Sequence, residues 1–190
     1  MKKHLFSCGF FLFIFLFSGA IAFATEPAEQ ILKGIEDVRL ILKAEKSDEQ
    51  KRTEIFAIVE AMFDFTETSK RALALKWKQL SVAEQDIFVQ GFSRKLFDVY
   101  YAKVAGSADG YEVVLGGQRV SGLRAEVETK ILRNKLEIPV IYVMKRDDSG
   151  CWRVYDVVIE GVSMVSNYRV QFNALTQQRI FEILEKNTNT

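Results

Sequence analysis

The stretch Trp152 to Tyr168, WRVYDVVIEGVSMVSNY, constrains the fold more than any other part of the chain. Val154, Val157, Val158 and Ile159 are β-branched, and Trp152 and Tyr155 add aromatic bulk, so the stretch begins as a strand. It breaks at Gly161 and restarts as a helix with Ser163 at its N-cap. A strand, a glycine turn and a capped helix within seventeen residues make a corner. The two elements leaving it cover two sides of one apolar space.

The N-terminus has the build of a secretory leader. Met1 to His4 is basic, Leu5 to Phe17 is an apolar run of thirteen residues, and Ala22-Phe23-Ala24 is a small-x-small cleavage site. The expectation is a signal peptide over residues 1–24 and a single domain over residues 25–190. The alternative, an uncleaved anchor, suffers from a run too short to span a bilayer comfortably. Cys8 precedes most of the apolar run, so lipidation there is rejected.

Removing that leader decides much of the chemistry. His4, the only histidine, and Cys8 leave with it, so Cys151 remains as a single cysteine. Zinc sites built on histidine or paired cysteines are excluded, as are Ser-His-Asp and Cys-His catalysis. Lys2 and Lys3 also leave, which gives the mature chain a net charge of −1 and no electrostatic case for binding nucleic acid. Gly161-Val162-Ser163-Met164-Val165 sits where a nucleophile elbow would, but Val165 replaces the final glycine of G-x-S-x-G. Asp156 and Glu160 lie four apart on a strand, roughly 13 Å between backbones, too far for an acid–base pair. Asp156 is read instead as holding the turn or a neighbouring amide. No catalytic residue, metal or cofactor is expected.

The mature chain opens with helices. Ile31, Ile35, Val38 and Leu42 form one stripe of a helix over residues 28–46. Ser47 to Gln50 is a capping box for a second helix with the stripe Ile55, Ile58, Met62 and Phe65. A third carries Leu73, Trp77 and Leu80. Ser81 to Glu84 caps a long fourth with Phe88, Phe92, Leu96 and Val99.

After a loop at 106–110 the period changes to two. Tyr111 to Leu115 reads as a short strand ended by Gly116-Gly117. Leu123 to Leu132 alternates, with Ala125, Val127, Thr129 and Ile131 on one face and Glu126, Glu128 and Lys130 on the other. In Leu136 to Lys145 the residues Leu136, Ile138, Val140, Tyr142 and Met144 share a face, and Pro139 marks an edge or bulge. Asp147 to Gly150 is a hairpin turn into the corner. Closing helices follow over 163–175 and 176–186. The reading is α+β: a twisted antiparallel sheet of about four strands packed against N-terminal and C-terminal helices.

The run Asp156-Val157-Val158-Ile159-Glu160-Gly161-Val162-Ser163, followed by Asn167-Tyr168-Arg169, resembles the signature of the MlaC family, also called the toluene-tolerance family. Phe63-Asp64-Phe65 is similar to that family's Phe-Asp-Phe element, and Ala72-Leu73 with Trp77 to its Ala-Leu-Gly-x-x-Trp. The likeness runs over residues 51–175. Ala74 departs from it, standing where the family has glycine, as do Thr68 and the stretch after Thr176.

The resemblance implies a soluble periplasmic carrier that holds phospholipid acyl chains in an apolar cavity between sheet and helices. It implies exchange with an inner-membrane ABC transporter through its MCE-domain subunit, and with an outer-membrane lipoprotein complex. Carriers of hopanoid or another lipid, and a non-lipid-binding envelope interaction module with a filled core, remain as alternatives. The apolar sheet face nominates Ile138, Val140 and Tyr142 as lipid-binding, with Val127 on the paired strand. Phe63 and Tyr100 on the helices and Val157 beside the corner complete the set.

Overall fold

The structure is a computed structural model that describes residues 26–105, 111–133 and 135–185. The leader of residues 1–24 and the loop at 106–110 lie outside the described residues. Four helices come first: α1 (Pro27–Lys43), α2 (Asp48–Met62), α3 (Phe65–Leu73) and α4 (Val82–Ala105). The strands β1 (Tyr111–Ser121), β2 (Arg124–Arg133), β3 (Leu136–Arg146), β4 (Trp152–Ile159) and β5 (Val162–Ser163) follow, then α5 (Met164–Asn173) and α6 (Gln177–Glu185). The sheet is antiparallel throughout, in the order β1-β2-β3-β4-β5. The fold is α+β, as its succession of helices, hairpins and helices demands.

Both capping boxes form. Ser47 Oγ accepts from the Gln50 amide at 3.2 Å while the Gln50 side chain accepts from the Ser47 amide at 3.0 Å. Ser81 and Glu84 repeat the exchange at the start of α4. The turn before β4 is equally local. Asp147 Oδ1 accepts from Ser149 and Cys151, and Oδ2 accepts from Arg153 Nε at 2.9 Å. The Ser149 hydroxyl, then Arg153, hold the Asp147 carboxyl well below the usual carboxylate range.

Four expectations are corrected. The glycine pair does not end the first strand: β1 runs on to Ser121, with a register shift between Leu115 and Gly117 that leaves Gly116 as the extra residue of a bulge. A Cβ on Gly116 would meet the Glu128 carbonyl oxygen at 3.3 Å, which is why glycine serves there. The sheet has a fifth, two-residue strand, because the turn after β4 is a tight one with positive φ at both Glu160 and Gly161. The Phe88, Phe92, Leu96 stripe is buried, but Val99 is exposed and the partly buried Tyr100 follows it. The third helix also divides. It ends at Leu73, and a 3-10 turn over Ala74–Gln79 carries Trp77.

The division falls at Ala74, whose φ of 51° and ψ of −116° lie in a region that suits glycine and penalises a Cβ. Ala74→Gly removes that strain, against a smaller loss from a more flexible unfolded chain. The expected result is a gain of about 1 kcal/mol in unfolding free energy. Chemical denaturation that shows Ala74→Gly less stable than the parent contradicts this account.

Three apolar clusters form the core. The largest joins α3, α4, α5 and α6 through Leu73, Phe88, Phe92, Tyr168, Phe172 and Ile180. A second lies between α1 and the sheet, and a third ties α1, α2 and α4 through Leu42, Ile55 and Tyr101. Two glycines permit close helix approach: a Cβ on Gly34 would overlap Met62 of α2, and one on Gly91 would press on Leu184 of α6 at 3.0 Å.

Candidate functional site

The candidate site is the apolar face of the sheet. The register places Val113, Ile131 and Ile138 in one row across it and Leu115, Thr129, Val140 and Ile159 in the next. The following rows are Val127, Tyr142 and Val157, and then Ala125, Met144 and Val154. A shift between β3 and β4 leaves Tyr155 as an extra residue, so Val154 and Val157 share this face although they are three apart. The opposite face is charged and wet, with Lys130 bonded to Glu137 and Arg119 to Glu126 and Glu128.

The apolar face has two parts. Under the N-terminal half of α1, Ala125, Val127, Met144, Trp152 and Val154 are packed to 3% exposure or less against Ala28 and Ile31. The start of α1 is pinned there: the Ala28 amide donates to Gln118 Oε1 at 3.0 Å, and Gln30 Nε2 donates to the Trp152 carbonyl at 2.7 Å. Farther along, Val113, Ile131, Ile138, Tyr142, Val157 and Ile159 are all only partly buried. Partly buried Ile35 and Phe63 pack against the first part, and Val38 and Phe97 belong to the neighbouring helix cluster.

The seven nominated residues therefore separate. Val127 is 0% exposed and belongs to the packed part under α1, and Val140 is 3% exposed. Ile138, Tyr142 and Val157 lie on the partly covered stretch. Phe63, like Tyr142 and Val157, packs against the buried cluster under α1, while Tyr100 borders the core of the helices. Burial raises the Tyr100 phenol, and the charge of Asp156 raises it further, which places Tyr100 toward the corner. Ile131 and Ile159 share the partly covered face but were not nominated. The register, not the alternation within one strand, reveals them.

Asp156 and Phe63-Asp64 hold the walls. Asp156 Oδ2 accepts from Ser163 Oγ at 2.5 Å, and Oδ1 accepts from the amides of Val157 at 2.8 Å and Val165 at 3.0 Å. Ser163 Oγ in turn accepts from the Ser166 amide, so the strand carboxylate and the cap together start α5. Phe63 forms a parallel bridge with Val154, and the Asp64 amide donates to the Val154 carbonyl at 2.8 Å. The Asp64 carboxylate caps α3 and pairs with Lys145 at 2.9 Å. The Phe-Asp-Phe element thus fastens the α2–α3 junction to β4 where β5 does not reach.

Burial pushes the Tyr142 phenol up to about 12, against a weaker opposing hydrogen bond from Thr129. Burial and a 2.8 Å hydrogen bond to Asp48 bring Tyr101 up to about 12 as well. For each, the folded state favours the neutral phenol. That contribution to stability is complete below the unfolded value near pH 10 and is lost as pH rises through 12. In a spectrophotometric titration, Tyr101 and Tyr142 stay protonated until the protein unfolds in alkali. Full ionisation of all six tyrosines below pH 11 in a folded protein would refute this.

Among the described residues no group of histidine, cysteine, aspartate or glutamate is placed to hold a metal, and no helix is long and apolar enough to cross a membrane. The family model for the MlaC protein matches residues 33–187. The chain belongs to the MlaC family. Its fold is similar to that of the phospholipid-binding protein from Ralstonia solanacearum, solved in complex with a phospholipid, with a TM-score of 0.73. The two are 20% identical over 86% of this chain and 97% of that one. No curated protein matches the chain.

Proposed function

We propose that this MlaC family protein is a periplasmic phospholipid carrier, exported by cleavage after Ala24, that holds acyl chains against the partly covered sheet face. The observation that carries the reading is the family match over residues 33–187. The phospholipid described for the Ralstonia protein of the same fold supports it. The chemistry of the face agrees: Ile138, Tyr142 and Val157 present aliphatic and aromatic side chains and are only partly buried. On this reading the protein exchanges lipid with an inner-membrane ABC transporter bearing an MCE-domain subunit and with an outer-membrane lipoprotein complex. It performs no catalysis.

The physical need for a carrier is plain. Each methylene moved from a bilayer into water costs about 0.8 kcal/mol, so a lipid with some thirty chain carbons costs roughly 24 kcal/mol to desorb. A carrier matches the bilayer interior without much exceeding it, since a tighter site would not deliver. Contacts to chains suffice for that. A helix N-terminus at Ser163 is the nearest device for a phosphate, and its hydroxyl and first amides are engaged within the corner.

Purification from a periplasmic extract, intact-mass measurement and native mass spectrometry test the reading together. The expected species starts at Thr25 and carries phospholipid whose headgroups mirror the host membrane. Retention of the leader would overturn the exported, cleaved form. A lipid-free protein would favour an interaction module, and strong enrichment of a hopanoid would change the cargo.

A further inference from the structure

An open trough runs along one side of α4 and reaches β4 at Arg153. One part, of about 320 Å³, lies between the end of α2, the start of α3, α4 and the β3–β4 turn. A second, of about 210 Å³, continues it toward the 3-10 turn. Thr66, Val89 and Gln90 line both, so they form one surface.

An apolar, largely aromatic strip runs through a lining that also carries Thr66, Gln85, Gln90 and Ser93, and its ends are acidic. Phe63 and Phe65, stacked at 5.4 Å, and Val89 line the larger part, and Trp77 lines the smaller. Val82, 75% exposed, lies one helical turn before Asp86 on the same side of α4. Glu60 stands at one end and Asp86 at the other, both exposed, and neither forms an ion pair with any described residue. The other charges at the trough are already matched. Asp64 is paired with Lys145, and Asp147 with Arg153. Arg153, the one cation in the lining, also donates to the Ala61 carbonyl.

We infer that this trough is the docking site for a segment of a partner protein that presents apolar side chains flanked by lysine or arginine. Apolar side chains pack on the aromatic strip, and the flanking cations meet the two unmatched carboxylates. The charges set register and encounter rate while the strip supplies most of the contact. Phe63 lines the trough and also packs, as Tyr142 and Val157 do, against the buried cluster under α1, so the trough and the proposed lipid face share that cluster as a wall. The inference rests on the carrier reading for its purpose, since a carrier must dock to unload, but its geometry is separate.

The test uses the mature protein and the synthetic peptide KFLKFR, with EFLEFE as the charge-reversed control. Trp77 reports occupancy in a Trp152→Phe background, because Trp152, although 1% exposed, adjoins Arg153 of the trough lining. The expected result is a saturable shift in Trp77 emission with KFLKFR and none with EFLEFE. Glu60→Lys and Asp86→Lys each weaken binding about threefold, and together about tenfold, as exposed charge pairs do. Lipid content is measured in the same samples. Lipid-loaded protein that ignores KFLKFR, or binds it equally well in the double variant, overturns the trough and leaves the carrier. Charge-dependent peptide binding by a protein that never carries lipid overturns the carrier and leaves the trough. Loss of the Trp77 response through self-association, seen by sedimentation, also overturns it.

Discussion

Asp156→Ala will cost about 3 kcal/mol of stability, because one carboxylate satisfies three donors at the corner. Each hydrogen bond to a charged acceptor is worth roughly 1.5–3 kcal/mol, and partial exposure of Asp156 keeps the sum toward the lower end. The loss also strips negative charge from the N-terminus of α5, whose first residues, Met164 and Val165, are buried. For a domain of this size the melting temperature should fall by about 6–12 °C. Ser163→Ala loses the cap and its bond to Asp156 and should cost about 1 kcal/mol. Calorimetry of the two variants decides the matter. An Asp156→Ala melt within 2 °C of the parent would show that the corner is held by packing alone.

The same carboxylate shows what can be read from residues alone. Asp156 is expected to hold the turn or a neighbouring amide, because Glu160 lies too far along the strand for acid–base work. The structure puts it on the Val165 amide. The capping boxes at Ser47 and Ser81 and the Asp147 turn are legible for the same reason: each is complete within seven residues. Pro139 is legible too. The β3–β4 ladder begins at Val140, so Pro139 has a strand partner on one side only.

What escaped reading depends on distant packing. Gly116-Gly117 is a terminator or a bulge according to whether β2 extends far enough to pair beyond it. Val127 and Ile138 look alike in their strands, each apolar and each on the alternating face. Only the placement of α1, fixed by Gln118 some ninety residues away, buries one completely and leaves the other partly open. Tyr155 hides a further shift, since an extra residue in β4 brings Val157 onto the face that simple alternation from Val154 would deny it. The trough along α4 has no sequence signature at all, because its lining comes from five separate segments.

That division decides where a bulky side chain should block lipid. Val140→Trp, at a buried position, would test overpacking more than cargo. Val157→Trp and Ile138→Trp instead extend from partly accessible positions into the proposed chain site. An added indole occupies the space of about four methylenes, and excluding these from the site costs about 3 kcal/mol of lipid affinity. That corresponds to more than a hundredfold. The bilayer holds each lipid by roughly 24 kcal/mol, so a carrier near balance with it cannot absorb such a loss and stay loaded. The expected result is that Val157→Trp purifies with little lipid while keeping a cooperative melt close to the parent's. Ile138→Trp, from the neighbouring strand, should do the same, and Glu128→Trp on the wet face should leave lipid content unchanged. Full occupancy in both folded face variants would mean that the chains lie elsewhere and that the partly covered face of the sheet is not their site.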